Sequence, residues 1–345
     1  MKNLVFISLI LLCFVQWSCK TEGKEAEEEV TAVAETPALI PVVFDTDANN
    51  ELDDQHAMAY LLFNGGTFDV KGITVNATRS GGNIEEQYRE AERILQLCQL
   101  KGKMPLLRGA DADFLTILPT IEEASYDGKA AVDFIIAESM KMEDEKLVLL
   151  AVGKLTNVAL ALAKAPAIAD KVRVVWLGSN YPEPGEYNQV NDTASMSYIL
   201  QQNVPFEMVT VRYGKPSGTD AVQVTQEEVN HKMPGKGPKV AEAITGRHGG
   251  TFNTFGDYAI SLFEHIDYHS DPPARALFDM AAVAIVKNPS WAKTTEIACP
   301  KLVADQWIEQ ADNSRKILLW ENFDREAIID DFYRTLDNYQ LVKTD

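Results

Sequence analysis

Cysteine is scarce in this chain, basic residues are outnumbered, and no internal repeat or Gly/Ser-rich linker interrupts residues 38–345. Of the four cysteines, Cys13 lies in the first apolar run and Cys19 directly behind it, which leaves Cys98 and Cys299 for a folded domain. Two cysteines so far apart form neither a disulfide framework nor a metal-ligand spacing, so buried free thiols are expected. Lys+Arg total 32 against 51 Asp+Glu, a formal net charge of −19. Such a field repels phosphate backbones and anionic lipid headgroups, which argues against a nucleic-acid partner. With 46% hydrophobic and 24% charged residues the composition is globular, and disorder throughout is excluded.

Residues 1–19 read as a secretory leader: Lys2, an apolar run from Leu4 to Val15 broken only by Ser8, then Gln16-Trp17-Ser18-Cys19. The apolar run is short for a bilayer span. Ser18 before Cys19 resembles the lipobox of bacterial lipoproteins, in which the cysteine is acylated and becomes the new N-terminus. Gln16 and Trp17 stand where small or aliphatic residues are usual, so simple secretion and an uncleaved anchor stay open. Residues 20–37 carry six Glu and two Lys with almost no large apolar side chain, the composition of a solvated tether. The expectation is an exported protein facing the periplasm or cell exterior, attached to the membrane only through its lipidated N-terminus.

From residue 38 onward short β-branched runs alternate with helical patterns, which predicts one α/β domain with a mainly parallel sheet flanked by helices. Strands are expected at Ile40 to Asp45, Val70 to Asn76, Lys146 to Val152, Val172 to Leu177 and Glu207 to Val211. Helices are expected at Asp53 to Phe63, Ile84 to Leu97, Ala130 to Met140, Thr156 to Lys164 and Thr193 to Gln202. Runs such as LVLLAV and VRVVWL are apolar on both faces, as strands covered on both sides must be. The stretch from Gly214 to Phe255 is the least regular and reads equally as a lid, an inserted subdomain or a surface excursion. A strand-like RKILLW and an amphipathic helix from Asp324 to Asn338 close the chain. In such sheets ligands bind beyond the carboxyl ends of the strands.

At that place the first strand delivers Asp45 and Asp47, and Asp53-Asp54 then open a helix in PVVFDTDANNELDDQHAMAYLL. Four carboxylates at one strand-to-helix junction repel one another unless a cation or a hydrogen-bond network compensates. N-capping by Asp53 or Asp54 accounts for one or two of them, not four. Oxygen donors without a His or Cys pair beside them point to Ca²⁺, with Mg²⁺ second, rather than zinc.

This segment resembles the start of the inosine–uridine nucleoside hydrolase family, Asp-Thr-Asp-Pro-Gly-x-Asp-Asp, with a loop two residues longer and no Pro-Gly. Three further segments resemble the family in order. Gly153-Lys154-Leu155-Thr156-Asn157-Val158-Ala159-Leu160 is similar to its Gly-Pro-Leu-Thr-Asn turn, though Thr156 also reads as a helix N-cap. Asn180, Glu186 and Asn188 reproduce its Asn-x5-Glu-Phe-Asn, with Tyr187 for Phe. Leu277-Phe278-Asp279 resembles the His-Asp that opens a late helix. The strand ending at Asn76 resembles one that carries a ribose-binding Asn, with Asn83 the other candidate.

The resemblance implies a single nucleoside hydrolase-like α/β domain and Ca²⁺-dependent hydrolysis of small-molecule ribonucleosides to ribose and base. It implies Asp47, Asp54, Asp279 and the Val152 carbonyl as metal ligands, and Asp47 as general base. Asp53, Asn76 and Asn188 would hold ribose hydroxyls, with Asn180 and Glu186 on the 5′-hydroxyl side. The longer loop could carry Asp47 away from the metal or bring Asn50 inward. Phe278 stands where some members place the histidine that protonates the leaving base. His248, Tyr187 or solvent then remain as proton donors, with Phe278 and Trp176 stacking or packing. Members are commonly homo-oligomers, but no interface is legible. Two rival readings are a haloacid-dehalogenase-like phosphatase with Asp45 as nucleophile, and a nucleoside- or sugar-capture lipoprotein without turnover.

Overall fold

The computed structural model describes residues 38–344; the leader and the acidic tether expected at 1–19 and 20–37 lie outside the described residues. The strands are β1 (Ile40–Thr46), β2 (Phe68–Val75), β3 (Leu106–Arg108), β4 (Leu147–Ala151), β5 (Val172–Leu177) and β6 (Phe206–Val209). Beyond them come β7 (Gln223–Thr225), the ribbon β8 (Ile244–Thr245) and β9 (Thr251–Phe252), and β10 (Ala274–Ala276). Last are β11 (Lys293–Ala298), the hairpin β12 (Lys301–Val303) and β13 (Gln306–Ile308), and β14 (Lys316–Glu321). The principal helices are α1 (Asp53–Leu62), α2 (Ile84–Leu97), α3 (Phe114–Ile117), α4 (Lys129–Met140), α5 (Thr156–Lys164) and α6 (Tyr187–Asn191). They continue as α7 (Thr193–Gln201), α8 (Gln226–Lys232), α9 (Phe255–Phe263), α10 (Phe278–Lys287) and α11 (Arg325–Asp337).

Eight strands form one sheet in the order β11-β14-β6-β5-β4-β1-β2-β3. All neighbours are parallel except β11 and β14, so the expected mainly parallel sheet is what forms. Alternation along each strand feeds two cores. Val42 and Phe44 of β1 pack on one side with α1, α2, α9, α10 and α11, while Val43 packs on the other with α4, α5 and α7. This is why β4 reads apolar throughout: all five of its residues are buried between the two layers. Helix α1 is buried along its whole length, which explains a sequence with little amphipathic contrast.

The expected strands and helices are present within a few residues. The sheet also takes in β3 and the antiparallel β11, which were not expected. β3 is three residues long, and β11 exposes four of its six residues, so neither carries a strong apolar run. The irregular stretch from Gly214 is no mere surface excursion: Val222, Val224, Val229, Met233 and Phe255 are buried in the core. Cys98 and Cys299 are buried free thiols, as expected.

Candidate active site

Strand order places the site. From β1 the chain moves outward through β2 and β3, then returns to the other flank of β1 as β4. The crevice between the carboxyl ends of β1 and β4 is therefore the switch point at which open α/β sheets bind ligands. Asp45 of β1 pairs with Ala151 of β4, so Asp47 and Val152 emerge side by side. Both line a cavity of about 270 Å³ together with Asp53, Asp54, Glu186, Asn188, Phe278 and Asp279.

Helices α1 and α10 pack against each other, and each brings acid in its first turn. Their N-caps are Leu52 and Leu277, neither with a side-chain cap, so capping does not explain Asp53, Asp54 or Asp279. Carboxylate oxygens of these three residues lie within 4.8 Å of one another, and all three are buried. Asp47, 1% exposed, joins them in the cavity wall, with Oδ2 accepting from Thr78 Oγ1 at 2.5 Å. Thr46 donates to Asp54 Oδ1.

Burial, reinforced by mutual repulsion, raises the whole group. Asp47 and Asp53 are each pushed up to about 7, and Asp54 and Asp279 stand well above the usual carboxylate range. Among the described residues the nearby ion pairs go elsewhere, Arg275 to Glu51 and Lys154 to Asp113. Enclosed like charges that form no ion pair among the described residues, with oxygen-only donors and the Val152 carbonyl in the same cavity, fit a hard divalent ion. The longer loop does not remove Asp47. Its extra length is taken up by Asn49, which binds Gln87 Oε1 and Gly81 O at 2.6 Å each, and by Arg247, which donates to Asn49 O and Glu51 O at 3.0 and 2.9 Å. Asn50 does reach the cavity wall.

More of the lining comes from the segments that follow β4 and β5. Asn188 donates to Val152 O at 2.7 Å and to Leu177 O at 3.1 Å. Glu186 Oε2 accepts from the Ser179 and Gln189 backbone N–H groups at 2.9 and 2.8 Å, and burial raises its pKa. Thr156 is not an N-cap: that position is Leu155, and the Thr156 hydroxyl donates to Asp192 at 2.5 Å instead. Trp176 is fully buried and fixes the Gly153 carbonyl through Nε1 at 2.9 Å.

Other expected residues stand back from the cavity wall. Asn180 spends its amide on the loop, accepting from Tyr213 N at 3.3 Å and donating to Pro184 O at 3.5 Å. Asn76 is fully buried and donates to Asp45 Oδ2 at 3.0 Å, while Asn83 caps α2 in a capping box. His248 lines a separate depression and stacks on His265 with centroids 4.4 Å apart, because its neighbour Arg247 occupies the space against the Asn49 to Glu51 carbonyls. Among the described residues, the histidine lining the cavity is His269, joined there by Tyr213, Asp220 and Arg275. No motif marked these four, since they come from irregular segments and the short strand β10.

Asp45, the nucleophile of the phosphatase reading, does not line the cavity. It is buried and saturated by Thr74, Asn157 and Asn76 at 2.5, 2.7 and 3.0 Å. A family model described as inosine-uridine preferring nucleoside hydrolase matches residues 42–330. The chain belongs to this family. It is an enzyme that hydrolyses nucleosides, which sets aside the capture reading as well. This nucleoside hydrolase is 27% identical over 286 residues to a pyrimidine-specific ribonucleoside hydrolase, RihA, of Citrobacter koseri, covering 74% of this chain and 82% of that one. It is 23% identical over 276 residues to a non-specific ribonucleoside hydrolase, RihC, of Salmonella paratyphi A, covering 73% and 80%. A solved plant nucleoside hydrolase superposes with a TM-score of 0.65 at 18% identity, over 87% of this chain and 99% of that one. The structural likeness establishes a shared fold for the nucleoside hydrolase domain.

Proposed function

We propose that this protein hydrolyses the N-glycosidic bond of ribonucleosides in a Ca²⁺-dependent reaction, releasing ribose and free base. The observation that carries the reading is the meeting of Asp53, Asp54 and Asp279 with Asp47, Glu186 and Asn188 around a single cavity. Asp47, Asp54, Asp279 and the Val152 carbonyl would hold the ion. When bound, Ca²⁺ supplies the charge that lets these carboxylates ionise together, orients a sugar diol and makes water more acidic.

The chain's own groups do the rest. Asp47, steadied by Thr78, takes a proton from water as the water oxygen adds to the anomeric carbon. Asp53 accepts from a ribose hydroxyl. Asn188 spends its Nδ2 hydrogens on two backbone carbonyls, which leaves Oδ1 as an acceptor for a second hydroxyl. Glu186, fixed through Oε2, presents Oε1 to the 5′ side. Positive charge grows on the sugar as the bond breaks, and a surround of buried carboxylates stabilises it.

The test is reducing-sugar release from a panel of purine and pyrimidine ribonucleosides, with Ca²⁺ and with chelator, using residues 37–345. Release that vanishes with chelator and in Asp54→Ala is expected. Release that persists undiminished in chelator overturns the metal dependence.

The leader and Ser18-Cys19 support a second element: an exported lipoprotein that takes up the salvage of extracellular nucleosides. Mature protein found in the soluble cytoplasm, without acylation of Cys19, overturns that element and leaves the catalytic reading intact.

A further inference from the structure

Breaking the N-glycosidic bond sends its electron pair out with the base, and Phe278 has neither proton nor charge to help it leave. Phe278 meets Tyr213 edge-on, with centroids 5.8 Å apart at 85°, and both line the cavity. Such an aromatic corner can stack on a planar aglycone, and the Tyr213 hydroxyl adds a neutral donor without a charge.

The charged donor on the same wall is Arg275 of β10, which lines the cavity although it is only 7% exposed. Its guanidinium is held on two edges. Nη2 pairs with Glu51 of the longer loop, and Nη1 donates to His269 Nε2 at 2.9 Å. On the remaining edge, Arg275 Nε has no hydrogen-bond partner among the described residues. An enclosed guanidinium N–H without an acceptor is costly, and Nη1 and Nη2 each carry a second N–H beyond the bonds named, so the side chain keeps donors to spare.

We infer that Arg275 is the leaving-group residue: it donates to an acceptor atom on the departing base and stabilises that base as an anion, with Glu51 and His269 as positioning residues. The inference rests on the nucleoside hydrolase reading. The bond between the anomeric carbon and the ring nitrogen breaks, and its electron pair stays on the nitrogen. The water oxygen bonds to the anomeric carbon and its proton passes to Asp47. Negative charge spreads over the base to a carbonyl oxygen or second ring nitrogen, where the guanidinium receives it. The base takes a proton from solvent after release. A guanidinium stays charged at any working pH, so the step needs no titrating acid at position 278.

The experiment compares uridine, whose base is a poor leaving group, with 4-nitrophenyl β-riboside, whose aglycone departs without help. Wild type, Arg275→Gln, Arg275→Lys and Glu51→Gln are assayed with Ca²⁺, and each variant is melted to check its fold. Arg275→Gln is expected to lower kcat on uridine by about 100-fold, to change kcat on the nitrophenyl riboside less than about threefold, and to be partly rescued by Arg275→Lys. Glu51→Gln, which keeps the guanidinium and frees its anchor, is expected to show the same selective loss in smaller measure. Parallel losses on both substrates, as from a displaced loop between Asp47 and Asp53, overturn the inference, as does unimpaired uridine turnover. Wild type that cleaves neither riboside overturns the underlying reading and the inference with it.

Discussion

Thr78 donates its hydroxyl to Asp47 Oδ2 at 2.5 Å, tying the loop after β2 to the carboxylate that follows β1. The bond fixes which oxygen of Asp47 faces its neighbours, and it opposes the rise that burial imposes on the acid. Thr78→Val keeps the volume and deletes the donor. Partners of this kind are worth about 10–100-fold in activity, so kcat should fall by that order while the melting temperature moves little. Steady-state kinetics beside a thermal melt decides it. Full activity in Thr78→Val would show that Asp47 needs no such support.

Gly153 lies against the same carboxylate. A methyl group there would sit 2.7 Å from Asp47 Oδ1 and 2.8 Å from Asn76 Nδ2, closer than real side-chain carbons come to such atoms. The backbone cannot yield easily, since Trp176 Nε1 holds the Gly153 carbonyl. Gly153→Ala should therefore destabilise the fold by about 1–3 kcal/mol, as overpacking does, and displace Asp47. Expected together are a lower urea midpoint and a loss of turnover that added Ca²⁺ does not restore. A variant with wild-type midpoint and rate refutes the close packing.

The carboxylate cluster predicts an unusual sign for a mutation. Asp279 shares its space with Asp53 and Asp54, so Asp279→Asn removes like-charge repulsion from the metal-free protein while taking away one of the proposed ligands. In chelator the variant should melt no lower than wild type. In Ca²⁺ at about 100 times its Kd, wild type should gain about 2.7 kcal/mol and the variant almost nothing. Calorimetry with and without the ion reads both effects. An equal Ca²⁺ shift in the two proteins would remove Asp279 from the ligand set.

What was legible in the sequence follows from where chemistry and backbone coincide. The parallel strands carry apolar runs, and Asp47, Asp53, Asp54 and Asp279 stand at strand or helix ends, so their spacing survives as a motif. Glu186 and Asn188 were readable for the same reason, lying at the opening of α6. Asn180 and Asn76 carry the right residue type but stand behind the cavity wall, Asn180 bonded to Pro184 O and Asn76 Nδ2 to Asp45, with Asn76 Oδ1 left without a partner among the described residues. Arg275, His269 and Tyr213 were not legible. They reach the cavity from a two-stranded ribbon and irregular loops, and only the fold of the stretch after β6 brings them beside Phe278. The ends of the sheet write themselves into sequence, whereas the aglycone side depends on how distant loops close.

The buried acids also set a pH dependence whose direction is opposite to that of a salt-bridged carboxylate. Burial raises Asp45 to about 6, and burial with neighbouring charge raises Asp47 and Asp53 to about 7. In the unfolded chain these groups titrate near 4. Between about pH 4 and pH 7 the metal-free folded protein thus binds more protons than the unfolded one, and stability falls as pH rises through that window. The contribution is fully present below about pH 4 and lost above about pH 7. Differential scanning calorimetry in chelator should accordingly show a lower melting temperature at pH 8 than at pH 5. Added Ca²⁺, which favours the ionised carboxylates, should raise the melting temperature more at pH 8 than at pH 5. A metal-free melting temperature that climbs across this range would mean that the cluster is ionised and compensated by the protein alone, and the case for a resident cation would fall with it.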